Sequence, residues 1–225
     1  MKIGITIDGI FRDLKTAIEE EYITEQKLNY YTGNGREKEF NDEKIEEIKS
    51  RIPENYNPYD EDVLFNIFTF EELKKTNGEG EEVIVTPEDL FVDFILGNAG
   101  YKIFSSPSYR LYDKVFTHLK EIAKNNPKHE FILFSKENNN TVPLTLLFLG
   151  QNLGNTQEIK EFNLGINEKT IWKKCKLLIT DNPTYLKTKP KNKKLIKVKQ
   201  KFNENIECDS LMEIGNLSDL LNYKF

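Results

Sequence analysis

Cysteine is scarce: Cys175 and Cys208 are the two in a chain of 225 residues. That is too few for a disulfide framework, and their separation is far from the C-x-x-C spacing of zinc or redox sites. A reducing compartment fits. Long apolar runs are missing as well, since nothing approaches the roughly 18 consecutive apolar residues needed to cross a bilayer. Met1 leads straight into a strand-like segment, without the charged region and apolar stretch of a secretory signal. The expectation is a soluble protein of the cytoplasm, with no membrane contact. A basic excess is also lacking: 32 Lys and Arg stand against 37 Asp and Glu, for a net charge of -5. Phosphate-backbone binding relies on a basic surface, so nucleic acid is not the expected partner.

The charge that is present is segregated. Lys187 to Lys201 is dense in lysine, whereas Glu37 to Glu88 is rich in Glu and Asp. Such a surface can dock onto an oppositely charged neighbour, another copy included; equally, the lysines can serve a solvated loop and an edge strand that resists aggregation. Heavy use of Asn, Lys, Ile and Glu, with triplets such as Asn138-Asn139-Asn140, points to an AT-rich coding genome.

Lys2 to Ile7 reads as a buried strand ending at the turn residue Gly9, and Leu14 to Leu28 as the helix after it. Tyr30 to Pro58 carries two Gly, two Pro and one amphipathic helix near Asp42 to Arg51, which reads as insertion. Glu61 to Lys75 and Pro87 to Leu96 show helical periodicity, the latter with Thr86 as N-cap and Pro87 at the first helical position. A polar loop, Thr76 to Glu82, separates them. Tyr109 to Lys124 is amphipathic. Three further strands are predicted at Glu130 to Phe134, Leu177 to Thr180 and Leu195 to Val198, with helices at Val142 to Asn152 and Leu217 to Leu221. Strands separated by helices predict a parallel, Rossmann-like α/β sheet covered on both faces.

Ligands of such sheets gather at the carboxyl ends of the strands. Three turns there carry chemistry: Thr6-Ile7-Asp8-Gly9-Ile10, Ser135-Lys136 and Thr180-Asp181-Asn182-Pro183. An Asp-Gly after one strand is an ordinary turn, but the three in this order resemble the haloacid dehalogenase (HAD) superfamily, and within it the 5'(3')-deoxyribonucleotidase-like proteins. In that family the first strand ends in Asp-x-Asp-Gly-Val, the second in Ser or Thr, a following helix carries a Lys ahead of Trp-Leu, and a later strand ends in paired acids. The resemblance aligns Asp8 with the second acid, Ser135 with the phosphate-binding hydroxyl, Asp181 with the second late acid, and Phe202-Asn203 with a late aromatic-Asn step. It covers residues 1–15 and 105–225 as a HAD-like core, leaving 16–104 as a mostly helical, cap-like insertion.

Three positions depart from the pattern. Thr6 stands where the resemblance puts the nucleophilic aspartate, Thr180 where it puts the first late acid, and Thr145 where it puts the lysine. Taking Asp8 as nucleophile instead puts Ile10 at the acid/base position, which restores no pair. Attack on phosphorus needs one carboxylate and proton transfer another, and magnesium wants several oxygen ligands, at least one or two of them carboxylates. The expectation is a vestigial pocket of Thr6, Asp8, Ser135, Thr145 and Asp181, with no resident cofactor. If a metal is retained, Asp181 and Asp8 are its candidate ligands.

Two functions from different classes follow. One is a catalytically inactive HAD-like protein with a structural or protein-interaction role in a homo- or hetero-oligomeric assembly, extending to a phage virion component. The other is a divergent Mg2+-dependent phosphatase or 5'-nucleotidase acting through Asp8, Ser135 and Asp181. His118 and His129 lack partners at metal-ligand spacing and read as packing or surface residues, Cys175 as a small core residue. Trp172, Tyr56 and Tyr59 are read either as interface anchors or as packing groups. Gly33-Asn34-Gly35 and Gly78-Glu79-Gly80 have no Gly-Lys-Ser/Thr continuation and read as turns.

Overall fold

The computed structural model describes residues 1–34, 40–76, 78, 80–136, 140–154 and 157–225. Gly35, Glu37, Glu79, Asn138 and Asn139, named above, lie outside them. The chain divides into two compact units: residues 1–14 with 104–225, and residues 15–103, inserted within the first.

Among the described residues, the first unit is built on a six-stranded sheet. Its strands are β1 (Lys2–Thr6), β4 (Glu130–Phe134), β5 (Ile159–Asn163), β6 (Leu177–Thr180), β7 (Lys194–Val198) and β8 (Met212–Ile214), in the order β5-β4-β1-β6-β7-β8. Every pairing is parallel. Parallel strands need crossovers, which are supplied by α6 (Val115–Asn125), α7 (Val142–Leu153), α8 (Glu168–Lys174) and the short α9 (Pro183–Lys187).

Burial on both faces explains the unbroken apolar runs in the central strands. Ile3, Ile5, Phe131, Leu133, Leu177, Ile179, Ile196 and Val198 join Leu119, Ile122, Phe148 and Leu149 in one core layer. The intervening residues Ile132, Phe134, Leu178 and Leu195 pack with Ile171, Trp172, Cys175, Tyr185 and Leu186 in a second. Trp172 is therefore a packing group, 5% exposed, and burial pushes the Cys175 thiol up to about 11. Gly4 sits mid-strand because a Cβ there would stand 2.5 Å from the Phe134 ring.

The second unit is helical with one hairpin. It holds most of α1 (Leu14–Asn34), then α2 (Asp42–Ser50), α3 (Glu61–Ile67), the antiparallel pair β2 (Leu73–Thr76) and β3 (Glu82–Val85), α4 (Pro87–Leu96) and most of α5 (Asn98–Ser105). Its centre is aromatic: Tyr22 meets Phe68, Phe70 and Phe94 edge-on, with ring centroids 4.9, 5.4 and 5.9 Å away.

Several elements differ from the sequence expectation. The helix expected over Glu61 to Lys75 stops at Ile67, where the apolar spacing gives way to Thr69 and Phe70, and β2 takes over. Thr76 and Glu82, the ends of the expected loop, are instead paired across an antiparallel hairpin, and three of the four residues of β3, Val83, Ile84 and Val85, are β-branched. The helix expected from Tyr109 begins at Val115, after a 3-10 turn over Pro107–Tyr109. β5 and β8 were not anticipated because edge strands carry charge: Lys160 and Glu161 in one, Glu213 in the other. Leu217–Leu220 is a 3-10 turn.

The lysine-rich segment works largely within its own chain. Lys189 pairs with Asp209 at 2.9 Å and donates to the Lys193 carbonyl, and Lys193 donates to the Cys175 carbonyl. Lys197, 3% exposed, reaches the Ile206 carbonyl at 3.0 Å and Glu213 at 3.3 Å.

At the β5 edge, the Lys174 ammonium donates to Glu161 at 2.7 Å and also meets Asn163. These contacts, the Lys174 hydrogen bond first, hold the Glu161 carboxyl down at about 2. A depressed carboxyl stabilises the fold above its ordinary pKa, near 4.5, and the contribution disappears as pH falls towards 2. Glu161→Gln should therefore lower the thermal midpoint near neutrality, with the gap from the wild type closing between pH 4.5 and 2 in a pH series of melts.

Candidate functional site at the strand ends

The site residues come from the carboxyl ends of adjacent parallel strands. Thr6 ends β1, Ser135 follows β4 and Thr180-Asp181 ends β6, while β4 and β6 flank β1 on either side. The loop after β1 is tight. Phe11 donates its N–H to the Ile7 carbonyl and Gly9 to the Arg12 carbonyl, both at 2.8 Å. Gly9 adopts φ +74°, and a Cβ there would overlap the Asp181 carboxylate. Glycine is thus required twice, for the turn and for the close approach of Asp181.

That loop curls Arg12 back beneath Asp8. The Arg12 side chain has no exposed surface, although Arg is among the residues least often fully buried. Its Nε donates to Asp8 Oδ1 at 2.6 Å, and Nη2 lies 2.5 Å from the same oxygen. Nη1 donates to the Phe104 carbonyl at 2.7 Å and to Thr145 Oγ1 at 2.8 Å. The guanidinium also lies over the rings of Phe104 and Phe148, 5.0 and 5.5 Å from their centroids. Asp8 and Thr145, 137 residues apart, are thereby joined through a single cation, Arg12.

The other positions are tied differently. Thr6 Oγ1 donates to Thr180 Oγ1 at 3.1 Å, and Thr180 Oγ1 accepts from the Asn182 N–H at 3.1 Å. Ser135 faces the loop after β5: its hydroxyl accepts from Gly165 N–H at 3.4 Å and its carbonyl from Ile166 N–H at 3.2 Å. Asp181 is 1% exposed, and its carbonyl accepts from Asn203 Nδ2 at 2.6 Å, the same amide donating to the Val198 carbonyl. Asn203 therefore staples the ends of β6 and β7. Asp8, Arg12 and Thr145 form one hydrogen-bonded group, Thr6 and Thr180 another, and Asp181 packs against Gly9.

Among the described residues, no group of three or more His, Cys, Asp or Glu side chains is arranged to hold a metal ion. A magnesium ion of the kind the resemblance implies has a poor donor set here. Of the two carboxylates, Asp8 and Asp181, the first is already paired with a guanidinium, and hydroxyls stand at Thr6 and Thr180. The two histidines lie elsewhere: His118 Nδ1 is 3.0 Å from the Tyr112 hydroxyl, and His129 Nε2 is 2.8 Å from the Phe225 carbonyl.

The signal that could have found Arg12 is its position four residues after Asp8, a spacing that brings acid and base together on one turn. Nothing in the sequence says that the arginine turns inward.

No family model and no curated protein matches the sequence. Among solved structures, a haloacid dehalogenase-like family hydrolase, SP0104 from Streptococcus pneumoniae, superposes with a TM-score of 0.51 at 10% identity, over 99% of this chain and 97% of that one. The HAD-hydrolase YfnB from Bacillus subtilis, in a magnesium-bound form, gives 0.43 at 12% identity, over 98% and 96%. A 2-haloacid dehalogenase from Pseudomonas syringae pv. tomato gives 0.39 at 15%, also over 98% and 96%. The fold is the HAD-like, Rossmann-type α/β fold. Among the described residues, no helix is long and apolar enough to cross a membrane.

Two expectations concern stability. Gly9→Ala should cost more than about 2 kcal/mol, since a left-handed φ and a clash with Asp181 add together; denaturant titration reads it. Arg12→Met should cost about 3–5 kcal/mol by leaving Asp8 unpaired, and adding Asp8→Asn should return part of the loss in a double-mutant cycle.

Proposed function

We propose that this protein is a catalytically inactive member of the HAD-like fold, using the scaffold in a structural or protein-interaction role. The supporting observation is the Asp8–Arg12 pair, in which the only carboxylate in the loop after β1 from Thr6 to Arg12 is already committed to a buried guanidinium. An acid that must protonate a leaving group has to be within reach of it and free to give up a proton. Asp8 instead is paired with a permanent cation, its Oδ1 taken up by Arg12 Nε and Nη2. Thr6 offers a hydroxyl engaged with Thr180 in place of an attacking carboxylate. Folds persist when their sites change, so the scaffold alone implies no turnover. In this reading residues 15–103 are the cap-like insertion, the partners are other protein chains, and a phage particle is one setting for such a subunit.

A second reading, a divergent Mg2+-dependent phosphatase or 5'-nucleotidase, is favoured by the convergence of Asp8, Ser135 and Asp181 at the carboxyl ends of β1, β4 and β6. The HAD-like hydrolase fold is compatible with it.

Hydrolysis of nucleoside monophosphates and of a generic phosphoester in magnesium separates the two. The first reading expects wild type and Asp8→Asn alike to match the blank. Turnover abolished by Asp8→Asn would establish the second. The interaction role further expects self-association or a partner complex burying more than about 1,000 Å².

A further inference from the structure

The two halves of the Asp8–Arg12 pair differ in access to solvent. The Arg12 side chain is fully buried, whereas 11% of the Asp8 side chain is exposed. Arg12 is held on its inner side by the Phe104 carbonyl and Thr145, and its planar faces meet Phe104 and Phe148. The edge carrying Nε and Nη2 is turned towards Asp8 Oδ1. From these facts we infer that the loop after β1 is a small oxyanion site filled by the protein's own side chain: Arg12 is the floor, and the Asp8 carboxylate is the plug on the solvent side. The ligand class is set by the floor. A guanidinium edge presents two parallel donors, which suit a carboxylate or a phosphate-like group of similar width. This inference rests on the reading of Asp8 as a committed counter-ion in place of a proton donor, and it adds that removing the plug opens a site for an external anion.

The physical reason is the cost of taking a carboxylate partner away from a buried cation. Arginine stays charged at any ordinary pH, so deleting its carboxylate leaves the charge in place and lets a soluble anion that reaches it restore the balance. Binding to the folded form alone raises the thermal midpoint with a saturating dependence on anion concentration.

The test is chemical rescue. Asp8→Ala is melted in sodium formate, acetate and inorganic phosphate against sodium chloride at matched ionic strength. Formate or acetate at about ten times its dissociation constant should raise the midpoint by about 3–6 °C over chloride. The wild type, with its plug in place, should not respond, and neither should Asp8→Ala/Arg12→Met, which lacks the floor. If Asp8→Ala does not fold in chloride, recovery of soluble folded protein in formate is read in its place, with Asp8→Asn melted in the same series as the milder variant. Absence of any saturable anion effect in both variants overturns the inference, as does an equal effect in the wild type or in the double variant. The assay reads binding and not turnover, so it can fail while the non-catalytic reading stands, and the reverse.

Discussion

A charged guanidinium with no route to water must find every partner inside the protein, and in this fold that requirement fixes the geometry around the first strand. Arg12 binds Asp8, the Phe104 carbonyl and Thr145 at once, so the loop after β1, the chain entering from residue 104 and helix α7 are all held to one cation. Burying the charge is costly, and the arrangement is favourable only with all partners in place. Gly9 is part of the same constraint, because the loop can turn Arg12 inward only through a left-handed residue, which also leaves room for Asp181.

Thr6 and Thr180, where the resemblance puts acids, are hydrogen-bonded to one another. The Thr6 hydroxyl donates to Thr180 on the neighbouring strand, and Thr180 also accepts from the Asn182 N–H, so neutral hydrogen bonds occupy both positions. Of the carboxylates there, Asp8 is paired with Arg12, and the backbone of Asp181 is fixed by Asn203. A pocket of this composition has its polar groups arranged mainly for one another.

Much of the sheet was legible in the sequence, and the reasons for success and failure are local. β1, β4, β6 and β7 are buried on both faces, so their apolar runs announce them. β5 and β8 lie at the sheet's edges and mix charge with apolar residues, so no run marks them. The β2–β3 hairpin was hidden because Leu73-Lys74-Lys75-Thr76 continues a helical-looking charge pattern until Val83-Ile84-Val85 pairs with it. At the site, Thr6, Asp8, Ser135 and Asp181 could be located because strand ends are where such sheets place function. Arg12 escaped because pattern alone reports an arginine after a turn as a solvent group. Its inward course depends on Phe104, Thr145 and Phe148, which lie more than 90 residues downstream.

The sheet's outer margins bear on how such a chain survives at high concentration. β8 has only three residues, and β5 presents Lys160 and the ion-paired Glu161 along its free border. A flat, apolar border would recruit strands from other copies into open-ended stacks. Brevity on one side and charge on the other make addition of a further strand to the six-stranded sheet unfavourable.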